Sequence, residues 1–253
     1  MTASAGTREA ARTPRLAQRL CLLAAIVTLA ATGVASPAPA AAAAPAAGSA
    51  PHELALLLRP HLVRPTLGRP ATKQRMLPAS SPITGGQTAL PVVGHATRNG
   101  TRWLRVMLPG RPNGALGWIT RRGTKRTTTR WQLTVRTASR RVNAYRDGKL
   151  ARSFVAIVGK PSTPTPRGRF FVEESIAMLP GAAGGPFALA TSGRSNVLQE
   201  FAGGPGQIGI HGVDNLGGTP GTAVSHGCVR LTDSAIRWLA MRIRPGVRVT
   251  ISS

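Results

Sequence analysis

The chain is poor in thiols, acids and aromatic rings. Its 253 residues hold two cysteines, eight Asp plus Glu, and 4% aromatics with a single tyrosine. Two cysteines build neither a disulfide scaffold nor a four-thiolate zinc site. Eight carboxylates spread over the whole length cannot furnish the oxygen cages that calcium and magnesium take. Any chemistry here must be sparing with acids and thiols. Long hydrophobic runs are also missing: the best, residues 20–35, is shorter than the ~20 residues of a spanning helix and is diluted by Ala, Thr and Gly.

Positive charge is what the chain has in excess: 33 Lys plus Arg give a formal net charge of +25, alongside 29 Gly, 21 Pro and 42% hydrophobic residues. The length suits one or two domains, and the composition suits a turn-rich β core. Such charge raises nucleic acid as a partner. Its distribution argues otherwise: residues 1–36 carry +3, 51–125 carry +11 and 126–253 carry +11. Only Arg121, Arg122, Lys125 and Arg126 approach a basic run, without any helical or aromatic nucleic-acid motif. An anionic polymer surface is the expected partner, and sequence-reading of bases is not.

Arg8, Arg12, Arg15 and Arg19 precede the apolar stretch 20–35, and small residues with Pro follow to residue 50. That order reads as a secretory signal peptide over 1–36, cleaved near Val34-Ala35-Ser36 or Ala38-Pro39-Ala40, with an uncleaved membrane anchor as the alternative. Residues 37–51 read as an Ala/Pro tether. Cleavage removes Cys21 and leaves Cys228 as the single thiol of an exported chain. An unpaired thiol in an oxidising compartment points to a reactive role.

The mature chain reads as mainly β. Short apolar alternations separated by Asn99-Gly100 and Pro112-Asn113-Gly114 are paired-strand signals. Trp103-Leu104-Arg105-Val106 with Gly117-Trp118-Ile119 resembles a bacterial SH3-like barrel, expected over 52–124 with an irregular first segment, 52–84, whose His52 and His61 receive no role. Trp103 and Trp118 read as buried barrel aromatics, or as a platform for sugar rings. From 125 onward alternation resumes at Trp131, Leu133 and Val135. Asp147-Gly148 marks a hairpin before Phe154. Further strands are expected over 168–173, 187–191, 207–211 and 247–251. Ile236, Leu239, Ala240 and Ile243 share one face of a short helix that Thr232 or Asp233 caps and Pro245-Gly246 ends.

Chemistry concentrates between 208 and 231. Ile208-Gly209-Ile210-His211-Gly212 is followed, after twelve residues, by Ser225-His226-Gly227-Cys228-Val229-Arg230-Leu231. A thiol of pKa ~8.5 is only about 3% thiolate at pH 7, so a nucleophilic Cys228 needs a base, and His211 at a strand end can serve if the Gly-rich connector folds back. The amides of Gly227 and Cys228 are candidates for an oxyanion site. Other readings stand beside this one: a buried inert thiol, zinc held by His211, His226 and Cys228, an Arg230–Asp233 pair, or Ser225 as a turn cap. A papain-like protease is disfavoured, because the base precedes the nucleophile in the chain.

The two blocks resemble the signature of L,D-transpeptidases with a YkuD-type catalytic domain. The resemblance extends to Val158-Gly159-Lys160, Thr163-Pro164-Thr165-Pro166, Gly168-Arg169-Phe170 and Gly185-Pro186-Phe187-Ala188-Leu189, and so covers 125–253. It implies a β-sandwich with a short C-terminal helix after the SH3-like domain, and no cofactor or metal. It also implies a Cys228 that attacks a peptidoglycan stem peptide to form a thioester, which a second stem resolves in cell wall cross-linking. By position, His211 is the base, Ser225, His226 and Gly227 line the oxyanion pocket, and Arg230 and Gly212 meet substrate. Phe187 and Asp233-Ser234-Ala235 depart from the family's usual residues. From a different class, the alternative is a non-catalytic wall-binding protein; water as acceptor would give a carboxypeptidase.

Overall fold

The computed structural model describes residues 50–67, 75–201 and 203–253. The expected leader, Cys21 and nearly all of the tether lie outside them. The described residues form one compact unit. Its strands are β1 (His52–Leu57), β2 (His61–Val63), β3 (Arg75–Leu77), β4 (Ala89–Arg98), β5 (Thr101–Met107), β6 (Leu116–Thr120), β7 (Thr124–Thr129), β8 (Trp131–Arg136), β9 (Arg141–Arg146) and β10 (Lys149–Val155). They continue with β11 (Val158–Gly159), β12 (Gly168–Ala177), β13 (Phe187–Arg194), β14 (Gln207–His211), β15 (Ala223–Ser225) and β16 (Val229–Arg230). The helix α1 (Asp233–Ala240) and β17 (Arg248–Ser252) close the chain.

The first sheet has the order β6-β5-β4-β1-β7. The stretch expected to be irregular supplies its β1, because Leu54-Ala55-Leu56-Leu57 is an apolar run between Pro51 and Pro60 and is paired on both edges, to β4 and β7. Strand β7 carries this sheet to Thr129, past the boundary expected at 124. Asn99 and Gly100 both take positive φ, as a two-residue hairpin turn requires. Leu104, Val106 and Ile119 face the core, so alternation turns Trp103 and Trp118 outward. They are half-buried on the outer face, where the Arg64 guanidinium lies 5.2 Å from the Trp103 ring centroid. His61 is buried, with its ring nitrogens against the carbonyls of Arg59 and Arg122, a structural use.

The second sheet has the order β10-β9-β8-β17-β12-β13-β14-β16. Strand β12 is its corner: Gly168–Phe171 pair with β17 and Val172–Ala177 with β13, with a bulge between Val172 and Glu174. The bend lets Leu133, Val142, Phe170, Leu189, Ile210, Val229 and Val249 close on one core. Into it α1 buries Ala235, Ile236, Leu239 and Ala240, while Trp238 stacks edge-on to Trp131 at 5.8 Å. Thr232 occupies the N-cap without a side-chain cap bond, and the helix ends at Ala240, leaving Ile243 buried in the turn beyond. Among the described residues no helix is long and apolar enough to cross a membrane.

Strand alternation also joins the two sheets. Phe170 enters the second core, and its neighbour Phe171 enters the first. Beside them the buried Glu174 carboxylate accepts from Ile83 N (3.3 Å), Thr84 N (2.7 Å) and Thr84 Oγ1 (2.8 Å), tying the 81–86 turn to β12.

Candidate active site

Two short strands bring the sequence blocks together. β14 and β16 run parallel, with Ile210 opposite Val229 and His211 opposite Arg230. Ile210 and Val229 are buried in the core, so Gly209, His211, Cys228 and Arg230 turn to the opposite side. There they open onto a cleft of about 440 Å³, within the usual range for ligand pockets. Its walls are largely apolar, with Met178, Ala183, Ala188, Leu198, Phe201, Ile208 and Leu216 beside His211, His226, Cys228 and Arg230.

The turn into Cys228 is fixed by one hydroxyl. The buried Ser225 Oγ donates to Cys228 O (2.5 Å) and accepts from Gly227 N (3.1 Å). Gly227 has φ +120°, and a Cβ there would lie 3.2 Å from Ile208 Cδ1, so the tight return to Cys228 requires glycine. The amide of Gly227 therefore serves the turn, where the sequence reading aimed it at an oxyanion. Behind the turn, Lys160 N donates to Ser225 O (2.9 Å), Thr163 Oγ1 to the same carbonyl (3.3 Å), and Gly159 N to Thr165 Oγ1 (2.9 Å). The Thr-Pro segment thus buttresses the nucleophile.

Cys228 is the one free cysteine among the described residues. Its Sγ accepts a long hydrogen bond from Gly209 N (3.4 Å) and lies 3.9 Å from Gln207 O. Burial pushes the thiol above its ordinary pKa, against the opposing pull of the Gly209 amide and the Arg230 charge. His211 is shifted the other way: burial holds its imidazole below 6.5, the bond to Gly212 works against that, and Arg230 adds to it. The resting pair is neutral thiol and neutral imidazole. His211 Nδ1–H donates to Gly212 O (2.8 Å), which leaves Nε2 with a free lone pair.

A backbone carbonyl orients His211, and Asp214 lies beside Asp233 instead. The Asp214 carboxyl is held above the usual range by the neighbouring Asp233 carboxyl, against the pull of Arg237. The Asp214 carbonyl accepts from Gly184 N (2.7 Å), and Gly184 O accepts from Gly212 N (2.9 Å). Gly184 is pressed against the imidazole: a Cβ there would sit 2.7 Å from His211 Nδ1.

Arg230 does not pair with Asp233. Its guanidinium donates to Gly217 O (2.6 Å), holding the connector beside the cleft. His226 is exposed and stacks on Phe201, rings 5.5 Å apart and 28° from coplanar. Among the described residues no three His, Cys, Asp or Glu side chains converge as metal ligands do. Sequence reasoning missed Gly209, Gly184 and Phe201. Gly209 was within reach, since strand alternation sets it on the face of His211; the other two depend on contacts between remote segments.

The chain is similar to several known proteins. The model of the YkuD family, the L,D-transpeptidase catalytic domain, matches residues 130–251. The YkuD protein of Bacillus licheniformis, named there as a candidate L,D-transpeptidase, is 28% identical over 181 residues, covering 72% of this chain and 87% of that one. Among solved structures, an L,D-transpeptidase from Mycobacterium smegmatis is 17% identical with a TM-score of 0.38, covering 65% of this chain and 99% of its own. One from Mycobacterium tuberculosis H37Rv is 15% identical with a TM-score of 0.42, covering 66% and 90%.

Proposed function

We propose, from the match of residues 130–251 to the YkuD-type L,D-transpeptidase catalytic domain, that the protein cross-links peptidoglycan stem peptides through a Cys228 thioester. The observation that carries the reading is the convergence, in one apolar cleft, of a thiol contacted by the Gly209 amide and an imidazole held by the Gly212 carbonyl as an Nε2 base.

In this mechanism His211 Nε2 takes the thiol proton as Sγ attacks the carbonyl of the third residue in a donor tetrapeptide. The tetrahedral intermediate collapses, the C–N bond breaks, and the amine of the terminal D-Ala leaves with the proton from His211. The thioester is then attacked by a side-chain amine of a neighbouring stem, which gives up its proton to the same imidazole and releases the thiol. Water in place of that amine yields the shortened stem. Starting from a neutral pair, proton removal is coupled to attack, so a buried thiol need not ionise beforehand. Ser225 holds the turn, Arg230 offers a cation to a stem carboxylate, and His226 and Gly212 border the path.

The reading places the enzyme outside the cytoplasm, on the wall side of the membrane, where a basic protein meets anionic polymer. N-terminal sequencing of the exported protein checks this, with a start after Ser36 or Ala40 expected. For the chemistry, the mature chain is incubated with a disaccharide tetrapeptide and, separately, with a carbapenem. Released D-Ala, cross-linked dimer and a mass adduct on Cys228 are expected, all lost in Cys228→Ala. An intact mass without adduct and no released D-Ala would leave the wall-binding alternative.

A further inference from the structure

One wall of the cleft is held by the other half of the molecule. After β13 the chain forms an arm that leaves at Ser195, reaches out to Phe201 and returns through Pro205 and Gly206 to β14. This arm brings Ser195, Leu198 and Phe201 to the cleft, and Phe201 stacks on His226 beside the nucleophile. It has little packing of its own: Asn196, Val197, Gln199, Glu200 and Phe201 are exposed. Its internal bonds are Ser195 N to Gly206 O (2.8 Å), Val197 N and Leu198 N to Ser195 Oγ (3.2 and 3.0 Å), Gly206 N to Gly204 O (2.8 Å), and at the tip a mutual Phe201–Gly204 pair (2.9 and 3.0 Å), so that nothing among the arm's described residues ties Leu198 to the returning side.

The hairpin between β5 and β6 supplies the rest. Arg111 donates to three carbonyls of the arm: from one terminal nitrogen to Pro205 (2.9 Å), from the other to Ser195 (2.8 Å) and Leu198 (3.3 Å). One guanidinium thus bridges the outgoing and returning sides. Asn113 docks at the root, accepting from Arg194 N (2.9 Å) and donating to Arg194 O (2.8 Å) and Asn196 Oδ1 (3.2 Å). Gly110 N adds a bond to Ser192 O (3.0 Å). A fork of fixed geometry suits this bridging, and a lysine ammonium cannot reproduce it.

We propose that Arg111 and Asn113 are positioning residues for substrate: the β5–β6 hairpin holds the Ser195–Phe201 arm as the donor-stem wall of the cleft. This rests on the cross-linking function proposed above. It gives the first sheet a part in shaping the active site, whatever wall polymer it meets. Neither residue touches the thiol or the imidazole, so their loss should weaken stem binding and leave the intrinsic reactivity of Cys228 in place.

The test compares the mature chain with Arg111→Ala, Arg111→Lys and Asn113→Ala. Hydrogen exchange read by mass spectrometry over 195–201 reports the arm directly, without reference to activity. Loss of charge-assisted bonds predicts exchange about tenfold faster in Arg111→Ala, with β14 unchanged and Arg111→Lys intermediate. With the disaccharide tetrapeptide, KM should rise about tenfold while kcat stays near wild type. Alkylation of Cys228 by iodoacetamide, a probe too small to need the wall, should stay within about twofold of wild type. Unchanged exchange and unchanged KM in both alanine variants would overturn the proposal. So would alkylation and kcat falling together with global stability, the sign of mere misfolding. A wild-type chain that releases no D-Ala refutes the cross-linking function itself, and the exchange data still decide whether the hairpin holds the arm.

Discussion

Gly184→Ala tests how closely His211 must be held. A methyl group at this position would lie 2.7 Å from His211 Nδ1 and 3.2 Å from Cε1. Ordinary contact begins near ~3.5 Å, so the imidazole must retreat by about 0.8 Å. That movement strains the 2.8 Å bond from Nδ1 to Gly212 O, which fixes the tautomer. Misplacement of a catalytic group by about 1 Å costs on the order of 10² in rate, or ~2.7 kcal/mol of barrier. The substitution also carries a backbone penalty, because φ is +85°; for alanine this is about 1–2 kcal/mol, small enough to leave a domain of ordinary stability folded. Gly181→Ala separates the two effects. It lies in the same loop at φ +76°, with nothing within 4 Å of its would-be Cβ. The pair is assayed by D-Ala release from the tetrapeptide and by urea denaturation. Both variants should lose similar stability, and only Gly184→Ala should lose about 10² in kcat/KM. If the two turn over at the same rate, the contact with Gly184 does not set the position of the base.

Three further outcomes follow from the same contacts. Because His211 is held below 6.5, the acid limb of kcat/KM should fall below that value, and an acid limb above 6.5 would contradict the burial argument. The same shift has a sign for stability: between the folded pKa and 6.5 the unfolded chain binds a proton that the folded one refuses. Stability therefore climbs as pH rises through that window and levels off above it, and His211→Ala should flatten the climb in thermal melts. Ser225→Ala removes both bonds of the buried hydroxyl and should lower unfolding free energy by about 1–3 kcal/mol, with slower Cys228 acylation by a carbapenem. Glu174→Gln puts an amide where Thr84 N, Thr84 Oγ1 and Ile83 N all donate; chemical denaturation should show a loss of about 1.5–3 kcal/mol, and an unchanged midpoint would mean that the 81–86 turn is held by packing alone.

Much of the second sheet was legible because its rules are local. Strand β14 falls at residues 207–211 as expected, and Asp147-Gly148 takes the positive φ values of a tight hairpin turn. The approach of the Cys228 and His211 blocks to one cleft was legible as a motif, whereas the carbonyl that orients the imidazole is seen only in the structure. What escaped the sequence is long-range. β1 reads as an irregular stretch because its apolar run does not alternate, and only pairing on both edges reveals why: both of its faces are covered to some degree. Trp103 and Trp118 read as core because they are large, yet the register that buries Leu104 and Ile119 turns them out. Nothing local marks Arg111, and Asn113 reads only as a turn residue; the partners of both lie more than eighty residues away.

The shortage of acids takes on a physical meaning in the structure. Glu53 joins His95 and Arg126, Asp147 joins Arg130, Glu173 joins Arg194 at 3.0 Å, and Glu174 holds the 81–86 turn. Asp233 receives Val213 N at 3.4 Å beside Asp214. All of these carboxylates fix junctions between segments, and His211 is oriented by a neutral carbonyl. A carboxylate in that place would stabilise the imidazolium and raise its pKa; a carbonyl does so less, and burial with Arg230 nearby opposes it further. In the proposed mechanism the proton taken from Cys228 would therefore be held weakly and pass readily to the departing amine. An acid-poor chain is thus suited to a thiol–imidazole pair that begins and ends each half-reaction uncharged, and the basic surface around it does not have to be neutralised by the site.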